Sequence, residues 1–111
     1  MLFGDKFSKI ESWGKKNKVD KLKKFMDNKN PKIRLAVAKA LGDGKGEEPV
    51  NALILMLRDP DTAVRQAAIE SIGKLGQPRA IEHLRHQMAK ESDDAVIKAI
   101  EQSIKKLAEA K

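Results

Sequence analysis

The feature that most constrains this chain is that it repeats itself. The run Ile33-Arg34-Leu35-Ala36-Val37-Ala38-Lys39-Ala40-Leu41-Gly42 returns 31 residues later as Val64-Arg65-Gln66-Ala67-Ala68-Ile69-Glu70-Ser71-Ile72-Gly73, with the Arg and the Gly in register. A third copy, Val96 to Leu107, follows at an offset of 32 and keeps the apolar spacing without the Arg or the Gly. The intervening segments repeat as well: Val19, Leu22 and Met26 match Val50, Leu53 and Leu57, which match Ile81, Leu84 and Met88. Each triplet is spaced i, i+3, i+7, one stripe of a helix at about 100° per residue. A stripe that narrow cannot bury itself alone, so successive units must stack, and the expected fold is an all-α superhelix, a solenoid of antiparallel helix pairs.

The punctuation between stripes is regular. Asn28-Lys29-Asn30-Pro31 and Asp59-Pro60-Asp61-Thr62 read as helix starts with Asn30 and Asp61 as N-caps, because a short side-chain oxygen there can accept from the first free backbone N–H groups. Gly42 to Gly46 and Gly73 to Pro78 read as helix ends and turns, and Asn17-Lys18 does the same after Ser12-Trp13-Gly14. The spacing predicts seven helices over about 4–15, 17–28, 31–42, 47–58, 61–75, 78–91 and 93–109, with no strand. Residues 1–111 are expected to form one repeat domain with units over roughly 4–28, 31–58 and 61–91 and a closing half-unit over 93–109. The connections are short, which makes consecutive helices antiparallel neighbours.

The run from Asp59 to Gly76, followed by Arg79-Ala80-Ile81-Glu82-His83-Leu84, resembles a HEAT repeat of the short, phycobilisome-lyase type. The resemblance spans about three and a half units, nearly the whole chain. It implies an α-superhelix whose second helices line a concave face. The same family includes scaffolds, chromophore-lyase subunits, hydroxylases and nucleic-acid enzymes, so the resemblance implies fold far more than ligand.

Composition removes several chemistries. There is no cysteine, hence no disulfide, thiolate nucleophile or thiolate metal site. The longest apolar run, Ala52 to Leu57, is far short of the about 20 residues a bilayer needs, and residues 1–6 show no secretory h-region; the expectation is a soluble cytoplasmic protein. Gly42-Asp43-Gly44-Lys45-Gly46 lacks the spacing and the Lys-Ser/Thr of a phosphate loop. Both histidines, His83 and His86, sit in one helical turn, and no Ser-His-acid set is apparent. Hydroxylases that resemble this family bind iron through repeated His-Glu pairs. Here Glu82-His83 occurs once, with Lys21 and Ala52 at the equivalent positions, so no metal and no cofactor is expected.

What remains is recognition without catalysis. Arg34 and Arg65 share a repeat position, and the structural reading makes each bridge to the acid-bearing turn of the next unit, with Asp59 and Asp61 close by in sequence. Leu55 lies two residues from Leu53 and cannot share the core stripe, while its equivalents Lys24 and His86 are polar. An apolar spot at Leu55 and Ala52, with Lys21 and Lys24 on one side and His83 and His86 on the other, is the candidate groove for a protein or peptide partner; a locally wide core or a dimer contact is the competing reading.

Charge offers an alternative. Residues 1–40 hold twelve Lys and Arg against four acids, a balance of +8, while the other 71 residues balance to −1. That basic end suits nucleic acid or another polyanion. Phe3, Phe7, Ile10 and Trp13 form an apolar stripe on the first helix, read as a cap on the end of the stack ahead of a membrane-inserting face. A third class, an accessory subunit of a lyase-like enzyme, follows from the family resemblance alone.

Overall fold

Residues 5–110 are described by a computed structural model of the chain, with the side chain of Asp5 set aside. Seven α-helices follow in order: α1 (Asp5–Lys15), α2 (Val19–Lys23), α3 (Pro31–Leu41), α4 (Glu47–Met56), α5 (Thr62–Leu75), α6 (Ile81–Lys90) and α7 (Asp94–Glu109). Among the described residues there is no strand. A 3₁₀ turn, Pro78–Ala80, precedes α6, so the segment expected as one helix over 78–91 is a 3₁₀ entry and a shorter α-helix.

Helix starts are set by side chains. Asn30 accepts from the Lys32 N–H at 2.9 Å, with Pro31 at the first helical position. Asp61 accepts from the N–H groups of Ala63 and Val64 at 2.9 and 3.3 Å, and Asp93 accepts from that of Val96 at 3.1 Å. These bonds satisfy donors that have no partner inside the helix. At the other end, α5 stops at Gly76, whose φ of 72° lies in the left-handed region where a Cβ would be strained. Asn17 adopts φ 55° after α1, and its side chain clamps the next turn by accepting from Lys45 N–H at 3.0 Å and donating to Lys45 C=O at 3.3 Å.

The helix expected over 17–28 is α-helical only across Val19–Lys23. Beyond it the backbone tightens into three-residue hydrogen bonds: Phe25 N–H to Leu22 C=O, Met26 to Lys23, and Asn28 to Phe25. The end of α4 does the same, from Leu57 N–H to Ile54 C=O through Asp59 N–H to Met56 C=O. Such tightening satisfies the last carbonyls while turning the chain sharply into the next unit.

The first helices α1, α3, α5 and α7 form one layer, and each packs chiefly on the next. The second helices α2, α4 and α6 form the other layer and touch one another little. Close approach in the first layer is possible because small residues meet there. A Cβ built on Gly14 would lie 2.5 Å from the Ala40 carbonyl oxygen, and Cβ atoms on Gly42 and Gly73 would strike Ser71 and Ser103. Both serines are buried, and their hydroxyls donate across the seam, Ser71 to Ala38 C=O at 2.7 Å and Ser103 to Ile69 C=O at 3.0 Å.

Large aliphatic side chains fill the space between layers. Leu22, Leu53 and Leu84, at one repeat position, are each buried, as are Val37, Val50, Val64, Ile72 and Ile100. The apolar stripe of α1 divides. Ile10 is buried, Trp13 packs on Phe25 at 5.8 Å between ring centroids, Phe7 stays exposed, and Phe3 lies outside the described residues. Ile10 and Trp13 therefore cover the first unit, as a capping stripe would, while Phe7 does not take part.

Candidate docking surface and repeat ladder

A ladder of charged hydrogen bonds ties the turns of successive units together. Arg34 donates from Nε and Nη2 to the two carboxylate oxygens of Asp59, at 2.8 and 3.1 Å, and from Nη1 to the Asn28 carbonyl at 2.7 Å. Arg65 repeats the pattern one unit on: Nε and Nη2 reach Glu91 at 3.0 Å each, and Nη1 reaches the Asp59 carbonyl at 2.9 Å. Asp59 and Glu91 also accept from the N–H groups of Asp61 and Asp93, so each acid joins the guanidinium of one unit to the helix start of the next. A planar guanidinium suits this fork-to-fork geometry and an ammonium does not.

The ladder residues are shielded, with side-chain exposure of 13% and 7% for Arg34 and Asp59 and 16% and 2% for Arg65 and Glu91. Burial on its own would push the Glu91 carboxyl up. The hydrogen bonds from Arg65, Gln87 and the Asp93 backbone, with the Arg65 charge, outweigh it and hold Glu91 below the usual carboxylate range. Arg34 is raised above its ordinary value chiefly by its hydrogen bond to Asp59; desolvation opposes this, and the charges of Asp59 and Asp61 add to it. The two arginines are thus consumed by structure. Glu91 is the partner that sequence reasoning missed. The third turn is one residue longer, which displaces its acid from the position that Asp59 marks.

The candidate groove residues separate. Leu55 is exposed to 56% on α4. Ala52 is only 2% exposed and belongs to the core, which corrects its expected place at the groove. The reason is that α4 is central: it packs against α2, α3 and α5, so its buried arc widens from Val50, Leu53 and Leu57 to include Pro49, Ala52 and Met56. Lys21, at the equivalent position in α2, is exposed and places its ammonium 5.8 Å from the Trp13 ring centroid, at the first unit and not beside His83. Lys24 is exposed at the end of α2. His83 and His86 do come together, lining a crevice of about 40 Å³ with Ile54, Leu57, Arg58, Gln87 and Lys90.

That crevice shares Leu57, Arg58, Gln87 and Lys90 with a wider recess of about 340 Å³ that runs out over the turns at Asp59, Pro60, Glu91 and Ser92. Arg58 and Lys90 were not picked out from the sequence. Their signal is a base directly before each ladder acid, Arg58-Asp59 and Lys90-Glu91. The first-helix layer offers a different hollow of about 330 Å³, between α1 and α3, with Phe7 at its edge and Glu11, Lys39 and Asp43 giving it mixed charge.

Two helices per unit, small residues in one layer and an arginine ladder across the turns describe a repeat stack, and the family description for HEAT repeats matches residues 12–105. The chain is a HEAT-repeat protein. No curated protein matches the sequence closely enough to serve as a named relative. HEAT repeats in general serve contacts between proteins and are scaffolds more than enzymes. In this HEAT protein no group of three metal-ligating side chains gathers among the described residues, and no described helix is long and apolar enough to cross a membrane.

Proposed function

We propose that this HEAT-repeat chain is a non-enzymatic docking module that binds another protein on its second-helix face, around Leu55. The observation that carries the reading is the exposure of Leu55 in a chain whose other large aliphatic side chains are buried or half-buried among the described residues. Its repeat equivalents, Lys24 and His86, are polar, so the fold does not require an apolar side chain there. The exposed Leu55, next in sequence to Ile54 in the crevice floor, supplies an apolar centre, and Arg58, His83, His86 and Lys90 supply the polar rim, that protein interfaces combine. The test is affinity capture from the native host with wild-type and Leu55→Asp protein, read by quantitative mass spectrometry. A set of proteins retained by the wild type and lost with the variant, at unchanged melting temperature, supports the reading; the same set held by both removes it.

A second reading has its own support. Lys15, Lys16, Lys18, Lys21, Lys23, Lys24 and Lys29 are all exposed, and among the described residues none is in an ion pair. Uncompensated lysines at that density suit a polyanion. Binding of duplex DNA that falls steeply with salt, and is lost on Lys21→Glu with Lys24→Glu, would favour it over docking at Leu55.

A further inference from the structure

We infer that the groove between α4 and α6 receives an acidic, leucine-bearing protein segment; this rests on the docking reading and names the class of its partner. The two acids near the groove, Asp59 and Glu91, are turned inward and saturated by Arg34 and Arg65, by the N–H groups of Asp61 and Asp93 and, for Glu91, by Gln87. Arg58 and Lys90 flank those acids in sequence but point to the surface, exposed and without an ion pair among the described residues. The ladder therefore neutralises Asp59 and Glu91, the two acids that line the recess, and leaves two cations on its wall. His83 and His86 add ring N–H donors at the narrow end.

The groove is shaped for side chains. Its narrow part has an aliphatic floor, Ile54 and Leu57, and the exposed Leu55 lies three residues before Arg58, which sits in the turn just beyond α4. A carboxylate that reached Arg58 or Lys90 would bring its own neighbours over Leu55, and an aliphatic neighbour would bury that surface. Nucleic acid could offer only a thymine methyl or a sugar edge there, too little to cover a leucine. The aromatic platform that would compensate with base stacking is missing from the site: Trp13 and Phe25 pack on each other in the first unit, with Lys21 and Lys6 near their ring faces. Charge and apolar surface together select a protein segment carrying Asp or Glu about one helical turn from Leu.

The test uses the full chain and fluorescence anisotropy with three probes: a labelled helical peptide of Glu pairs with Leu at i, i+4 spacing, the same peptide with every Glu replaced by Gln, and a short duplex DNA. The acidic peptide is expected to bind at least about tenfold more tightly than its Gln counterpart. Arg58→Glu with Lys90→Glu, both surface changes checked for an unchanged melting temperature, is expected to abolish that preference. Lys21→Glu with Lys24→Glu is expected to leave it within about twofold at moderate salt. Equal binding of the two peptides, or a preference that survives in the Arg58/Lys90 variant, overturns the inference. So does tighter binding of the DNA that depends on Lys21 and Lys24. If the peptide preference is absent while host proteins are still captured through Leu55, the acidic-partner inference falls and the docking reading stands. If capture also ignores Leu55, both fall.

Discussion

The two helix layers of this molecule solve the same packing problem in opposite ways. In the first-helix layer, glycine, alanine and serine let α1, α3, α5 and α7 approach until backbone atoms meet, and buried serine hydroxyls lock the seams. In the second-helix layer, leucines at one repeat position point inward as anchors, and the helices themselves stand apart, leaving the crevice at His83 and His86. Close backbone contact leaves little room for change at the seams, although a surface hollow remains between α1 and α3. Wide spacing on long side chains leaves an outer surface that the fold does not use, and that surface is free to carry recognition.

The largest effect expected is in the anchors. Leu84→Ala removes a fully buried side chain under α6 and should destabilise by about 2–5 kcal/mol in a urea titration, since a cavity is left where the surrounding helices cannot fully collapse. A loss within experimental error would mean that the second-helix layer is not held by its leucines. The complementary change in the other layer is an addition. Gly14→Val places new atoms against the Ala40 backbone, which cannot rotate aside, and should cost about 1–3 kcal/mol by the same titration. If it were neutral, the seam between α1 and α3 would be looser than the contrast requires.

The ladder across both layers comes next. Arg34→Ala strands the shielded Asp59 carboxylate and two turn carbonyls and should cost about 1–3 kcal/mol, while leaving binding at the exposed lysines intact. Loss of polyanion binding at an unchanged melting temperature would instead make Arg34 a ligand residue. Glu91 gives the ladder a pH signature. Its folded pKa lies below the unfolded value, so its contribution is present above the ordinary glutamate range and is lost as pH falls through the lowered folded value. Stability followed by urea midpoint should fall across that acid window, and Glu91→Gln should flatten the fall; equal slopes in both proteins would remove Glu91 as its source.

The smallest effect on stability is expected at the outer surface. Leu55→Asp should shift unfolding free energy by no more than about 0.5 kcal/mol, because the side chain is already in water. Unfolding by this variant would make Leu55 an anchor and erase the difference between the inner and outer rows of α4.

Much of this was legible in the sequence because helix periodicity and capping are local. The stripe Ile81, Leu84, Met88 placed Leu84 in the core, and Asn30 and Asp61 marked helix starts, since a cap acts on backbone groups two or three residues away. Arg34 and Asp59 could be paired from one unit to the next by repeat register alone. The repeat likewise separated Leu55 from the core stripe by angle. Ala52 was not legible. Whether a small residue on the flank of a stripe is covered depends on how closely a neighbouring helix packs over it, and α4 packs more extensively on α5 than α2 does on any of its neighbours. Glu91 was not legible either, because a one-residue-longer turn moves the acid in sequence while keeping it in space. The sequence by itself determined the repeat, the helices and the rows that must be buried, because each follows from spacing along one chain segment. Only the tertiary structure decided which charges are spent and which are free. Arg34, Arg65, Asp59 and Glu91 cancel across neighbouring turns, and that cancellation leaves Arg58 and Lys90 without an ion pair among the described residues at the groove between α4 and α6.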